Sequence, residues 1–405
     1  MTVDIRSALQ RKLGAQPFEI TNLLTYYATL IGLGIATSLL GPTLPTLSAY
    51  SGSSVGALGI LFLVRSLGYL IGSVALGRLY DRMKAHPLLS FAQIAVGVCL
   101  AAVAWLHQLP MLIAIFFLMG LVESLLSVGA NTALIWTFRE RSSPVINGLH
   151  FAFGIGAFIG PLIVAQMLPL NNGFQFAYLI SGVFFLLLGL WTARLDNSPS
   201  QPEVSLEKDQ TAGHTTRADY TLLALTGLFL FFYVGSEVSF GGWYFTYVFS
   251  QGFTSETVAA YMNSAFWLSF TIGRLLSIWV AFKVPQKKVL PVAISGSLLS
   301  ILILFIQPLS TALLWICPIA LGFFMAPIYP SAFSWTSQSI RISGKLTGIL
   351  FLGDSLGAMI LPWLAGRLID STGASAMVPL ITGAMAFNLI AYFGLLSIHT
   401  RRSTT

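Results

Sequence analysis

Apolar stretches of about 20 residues or more recur along almost the whole of this chain, and that is the length of helix needed to cross about 30 Å of hydrocarbon. In such a medium every backbone N–H and C=O must be satisfied within the segment or by its neighbours, so stretches of this kind fold as helices packed side by side. Twelve can be marked, at roughly 21–46, 54–77, 87–107, 110–137, 145–169, 173–193, 220–250, 255–282, 289–307, 310–338, 345–369 and 377–398. With 56% hydrophobic residues, 9% charged residues and a mean hydropathy of +0.81, the chain lies far from the composition of soluble domains.

Charge placement tests the count, because Lys and Arg gather in short loops on the cytoplasmic side. With both termini in the cytoplasm, the inner segments hold Arg6, Arg11, Lys12, Arg78, Arg82, Lys84, Arg139, Arg141, Arg194, Lys208, Arg217, Lys283, Lys287, Lys288, Arg341, Lys345, Arg401 and Arg402. Of the 21 basic residues only Arg65, Arg274 and Arg367 lie elsewhere. Topology therefore explains the net charge of +7, and no nucleic-acid partner is needed. The expected location is the plasma (inner) membrane, with the lipid bilayer as partner and a monomer as the unit. Cys99 and Cys317 fall inside spans as packing residues, and no spacing of Cys, His or acids suggests a metal. Residues 1–20 form either a short interfacial helix, with Ile5, Leu9 and Leu13 on one face, or a frayed end.

The one long polar stretch, 195–219, divides six spans (21–194) from six (220–398), with a tail at 399–405. A shift of 201 residues lays Gly72 on Gly273, Gly156 on Gly357, Ala157 on Ala358 and Pro161 on Pro362, and nearby shifts lay Gly148 on Gly348 and Gly120 on Gly322. Six spans per copy keep both copies in the same orientation, so the halves are parallel repeats about an axis along the membrane normal. The expected fold is an all-α membrane protein, twelve transmembrane helices in two six-helix bundles, with a site between the bundles near mid-membrane.

Gly77-Arg78-Leu79-Tyr80-Asp81-Arg82, after the second span, resembles the Gly-x-Leu-x-Asp-Arg signature of the major facilitator superfamily. The resemblance implies the major facilitator fold and a cytoplasmic latch between the halves at Gly77, Asp81 and Arg82. Two further segments look like the branch that contains fucose permease and the sodium-dependent glucose transporters. One is Tyr233-Val234-Gly235-Ser236-Glu237-Val238-Ser239-Phe240-Gly241-Gly242-Trp243; the other is Gly129-Ala130-Asn131-Thr132 with the segment from Leu149 to Pro161. Gly156, Gly160 and Pro161 also resemble part of a drug-antiporter motif.

Four charges interrupt the apolar runs: Arg65, Glu123, Glu237 and Asp354. Each costs about 2.5–3.5 kcal/mol if left alone at the centre of a span, so they pair or face a polar cavity. Helical spacing sets Gly120, Glu123, Ser127 and Asn131 on one face, and Tyr233, Glu237, Gly241 and Tyr244 on another. A carboxyl group in a cavity of alternating access can carry a proton, hold Na⁺ or accept hydrogen bonds from sugar hydroxyls. Trp243, Tyr244 and Trp267 offer apolar faces to a ring. Asn131, Asn263 and Gln338 serve either as hydroxyl partners or as bonds between helices, and His150 either touches solute or packs. Arg65 pairs either with Asp354, as a bridge between halves, or with Glu123, as a strut within one. Arg274 is expected to snorkel toward the cytoplasmic surface.

The leading reading is a secondary active transporter that moves a small-molecule substrate, a sugar or polyol, by alternating access coupled to H⁺ or Na⁺, with no cofactor. A proton-driven exporter of amphipathic or lipid-linked compounds is the alternative, and a non-transporting sensor the reading from another class. No catalytic set of residues is present in the sequence.

Overall fold

The computed structural model describes residues 16–200, 217–306, 310–339 and 344–403. Twelve helices run through them: α1 (Pro17–Ser51), α2 (Ile60–Ala75), α3 (Ala85–Val103), α4 (Leu109–Phe138), α5 (Ser142–Met167), α6 (Gly173–Ala193), α7 (Arg217–Ser250), α8 (Glu256–Ala281), α9 (Gln286–Ile306), α10 (Thr311–Met325, resuming as Ile328–Ser339), α11 (Gly344–Thr372) and α12 (Met377–Ser403). Eleven of the helical segments are long and apolar enough to cross a membrane.

The sequence reading differs at the ends and at one break. The α1 helix starts earlier because Pro17 suits a first turn and Glu19 Oε2 accepts the Gln16 N–H at 2.7 Å. It stops where Gly52 takes a left-handed conformation at φ 63°. The tenth span, read as continuous, is interrupted at Ala326 and Pro327, where a ring without an N–H removes a rung of the ladder. The segment 1–15 and most of the linker, 201–216, lie outside the described residues.

The two halves pack by the same plan. In the first, α1 lies on α5, α2 on α4 and α3 on α6; in the second, α7 lies on α11, α8 on α10 and α9 on α12. Glycines set these crossings at matching places. A Cβ at Gly156 would sit 1.9 Å from the Ile31 carbonyl oxygen, and one at Gly357 would sit 2.1 Å from that of Phe231. Gly120 meets the Arg65 carbonyl as Gly322 meets that of Phe266. The repeat seen in sequence is thus a repeat of helix contacts, at positions where only a hydrogen fits.

Between the halves, α2 meets α11, α5 meets α8 and α1 meets α7. Twelve crossings bring the ends of α1 and α12 to one face, here the terminal face, opposite a far face. Among the described residues, the polar bonds that join the halves lie toward the far face or in the far-side part of the α5–α8 seam. Asp370 accepts from Ser54 Oγ (2.6 Å) and from the Gly56 N–H (2.9 Å); Gln166 donates to Tyr261 (2.5 Å), and Ser264 to the Phe158 carbonyl (2.7 Å).

Candidate functional site

A cavity of about 700 Å³ lies between the halves and extends toward the terminal face, where Asn147, His150, Ser277 and Ser334 line it. It gathers Arg65, Glu123, Asn131, His150, Glu237, Trp267 and Asp354, seven of the residues chosen from sequence, from six different helices.

Arg65 settles its own alternative. Its Nε donates to Glu123 Oε2 at 2.8 Å and its Nη2 to Glu123 Oε1 at 2.6 Å, a two-pronged pair with both side chains buried. Nη2 also reaches Thr37 Oγ1 at 3.2 Å, so the guanidinium ties α1, α2 and α4 of the first bundle together. It is a strut within one half. Asp354, the other candidate partner, instead accepts from Tyr329 Oη at 2.9 Å and from Ser355 Oγ at 3.2 Å.

The second half presents its charges differently. Glu237, Asp354 and Arg274 line the cavity, and none makes an ion pair among the described residues. The expectation that Arg274 snorkels to the surface is corrected: its guanidinium carbon lies 4.6 Å from the centre of the Phe270 ring, in the cavity wall. Its spacing of seven from Trp267, two helical turns, was the signal available in the sequence.

Two other expectations are also corrected. Trp243 and Tyr244 are fully buried and do not line the cavity. The Trp243 indole donates to the Pro362 carbonyl at 2.8 Å and packs on Phe62, while Tyr244 donates to the Leu314 carbonyl and stacks on Phe240. Both are long aromatics whose polar tips found backbone acceptors on neighbouring helices, which removes them from any solute path. Asn263, also buried, donates to the Gly241 carbonyl at 2.9 Å and so joins α8 to α7. Trp267 does reach the cavity because Gly241 has no side chain; a Cβ there would lie 2.5 Å from the indole. The Gln338 side chain lies outside the described residues.

Asp81 and Arg82 are exposed and form no ion pair among the described residues. Gly77 opens a single 3-10 turn, Gly77–Leu79, and Tyr80 anchors this loop by donating to the Leu125 carbonyl at 2.9 Å. Sequence reasoning passed over Tyr69 and Tyr329, which line the cavity, and over Asp370, which clamps the far face. Tyrosines in spans and an acid near a helix end are too common to stand out.

The profile described as Major Facilitator Superfamily matches residues 26–362. The chain belongs to that superfamily. It is therefore an integral membrane transporter of small molecules, not an enzyme. It is 31% identical to sodium-dependent glucose transporter 1 of Xenopus laevis over 358 residues, covering 82% of this chain and 73% of that one. Against the human protein of the same name the identity is 30%, covering 84% and 72%. These relatives match the branch that the Glu237 and Asn131 segments pointed to. Among solved structures, the nucleoside transporter NupG superposes with a TM-score of 0.73 at 14% identity, covering 95% of this chain and 99% of that one. The xylose transporter XylE from E. coli, described as partially occluded inward open, superposes with a TM-score of 0.75 at 11% identity, covering 93% and 97%. At such identities these two show the shared fold.

Proposed function

We propose that this protein takes up a sugar or polyol by cation-coupled alternating access, with its terminal face in the cytoplasm of a plasma (inner) membrane. The observation that carries the reading is the cavity wall of the second half. It holds two carboxyl groups without ion partners among the described residues, Glu237 and Asp354, in one wall with the Trp267 indole, and Asn131 of the first half lines the same cavity. Carboxylates and amides take hydroxyl groups, the indole takes a ring face, and a carboxyl group with no ion partner can hold H⁺ or Na⁺. The names of the relatives, which specify sodium and glucose, point the same way. In this account the halves rock about the cavity as a monomer, and Asp81 and Arg82 come into use when the terminal face closes.

The test is flux of radiolabelled glucose and related polyols into liposomes under separate Na⁺ and pH gradients. Wild-type protein is expected to concentrate solute under one of them. Glu237→Gln is expected to abolish the gradient's effect while leaving downhill exchange measurable. Gradient-driven accumulation that survives in Glu237→Gln removes that residue from coupling, and absence of any sugar flux removes the substrate assignment.

A further inference from the structure

Outside the central cavity, a second cavity of about 740 Å³ opens where α1 begins and α4 ends, and it shares no lining residue with the first. Its polar wall is made by Glu19, Asn22, Arg139 and Arg141, and its apolar wall by Phe18, Trp136, Phe138 and Pro199.

Arg139, Arg141 and the Asn22 and Asn197 amides bring hydrogen-bond donors to this wall. Glu19 is the one carboxylate among its described residues, and both oxygens are already used: Oε2 by the Gln16 N–H and Oε1 by Arg141 Nη2 at 3.4 Å. The Thr137 hydroxyl donates to the Ala133 carbonyl. Asn22 is only 2% exposed, yet its Nδ2 has no hydrogen-bond partner among the described residues. Buried amide groups are nearly always satisfied, so this one marks a place where an acceptor is missing. Arg139 projects exposed from the turn between α4 and α5, held at φ 48° in a conformation rarely taken by side chains other than glycine. Among the described residues, two guanidinium groups and one carboxylate line the wall.

The floor is fixed. Residues 197–199 are tied to the start of α3, where Pro199 accepts the Ala85 N–H at 3.0 Å and Ser198 Oγ accepts the His86 N–H at 2.8 Å. The aromatic half of the wall, with Phe18 44% exposed, lies where α1 and α4 reach the membrane surface.

We propose that this cavity is a binding site for a phosphate-bearing anion, with Asn22 Nδ2 and Arg139 as its donors and the aromatic wall fitting it to the headgroup of an anionic phospholipid. Guanidinium and amide N–H groups converging beside an apolar wall suit a phosphate diester joined to glycerol. Bound there, the headgroup joins the start of α1, the α4–α5 turn and the 197–199 strap into one unit of the first bundle.

The experiment measures thermal unfolding of the full chain in nanodiscs of phosphatidylcholine, with and without phosphatidylglycerol, and in detergent with inorganic phosphate. Phosphatidylglycerol is expected to raise the wild-type midpoint. Arg139→Gln, an exposed substitution that keeps the fold, is expected to weaken this by roughly tenfold in lipid concentration, the loss of one charge-assisted bond. Asn22→Leu, which removes the orphaned donor while filling its space, is expected to shrink the same increment. A matching rise with inorganic phosphate in detergent, lost in both variants, keeps the site and assigns it to free phosphate. No rise in wild type with either probe, or a rise undiminished in both variants, overturns the proposal. Glu237→Gln, in the other cavity, should keep the full increment, so this result stands or falls apart from the transport reading.

Discussion

Replacing Asp370 with Ala should tip the carrier toward opening on its far face. The carboxylate of α11 accepts from Ser54 Oγ at 2.6 Å and from the Gly56 N–H at 2.9 Å, at the positive end of the turn leading into α2. Bonds to a charged group contribute about 1.5–3 kcal/mol when buried. Asp370 is exposed, so about 1 kcal/mol for each bond, helix-end attraction included, is the fitting figure. The sum, about 2 kcal/mol, corresponds to roughly thirtyfold in the ratio of far-closed to far-open states. Spin labels at Asn171 and Ser371, exposed positions in the first and second halves near the far face, report that ratio as a distance distribution. Both native cysteines are buried, so thiol labelling at introduced sites is clean. The variant should show a second, longer distance that wild type lacks, and Asp370→Asn, which keeps the oxygen but not the charge, should fall between. A distribution unchanged from wild type in Asp370→Ala would show that apolar packing alone closes the far face.

Other substitutions separate struts from cavity wall. Glu123→Ala strands the Arg65 guanidinium and should cost about 3–5 kcal/mol of stability, whereas Arg65→Met with Glu123→Leu should recover most of it; thermal unfolding decides, and a double variant no better than the single would refute the strut. Gly120→Ala would press a Cβ to 1.9 Å from the Arg65 carbonyl and should lower stability by about 1–3 kcal/mol, while Gly77→Ala, whose nearest neighbour is 3.7 Å away, should be silent in the same melt. Trp243→Phe gives up the bond to Pro362 and should lower the unfolding midpoint without altering KM for solute, while Trp267→Phe should raise KM; the reverse pattern would put Trp243, not Trp267, at the substrate.

The sequence was enough for the architecture because hydrocarbon imposes its rules locally. A run of apolar residues must be a helix whatever surrounds it, and six spans before and after one polar linker fix the orientation of both halves. The glycine matches at one offset even marked the crossings, since close helix approach leaves its trace in the residues that permit it. The four charges within spans were also legible: all of them reach the cavity. What the sequence left open was where each polar side chain found its partner. Arg65 stood within reach of Glu123 or Asp354, and only the distance between α2 and α4 chose Glu123. Trp243 and Trp267 looked alike as aromatic faces; the Pro362 carbonyl claimed one, and the bare surface of Gly241 seated the other in the wall. Asp370 could not be told from any other acid near a helix end until the first bundle, 314 residues away along the chain, brought it the Gly56 N–H. Spans are decided residue by residue against lipid, but pairing is decided by which helices touch, and that is a property of the assembled bundles alone.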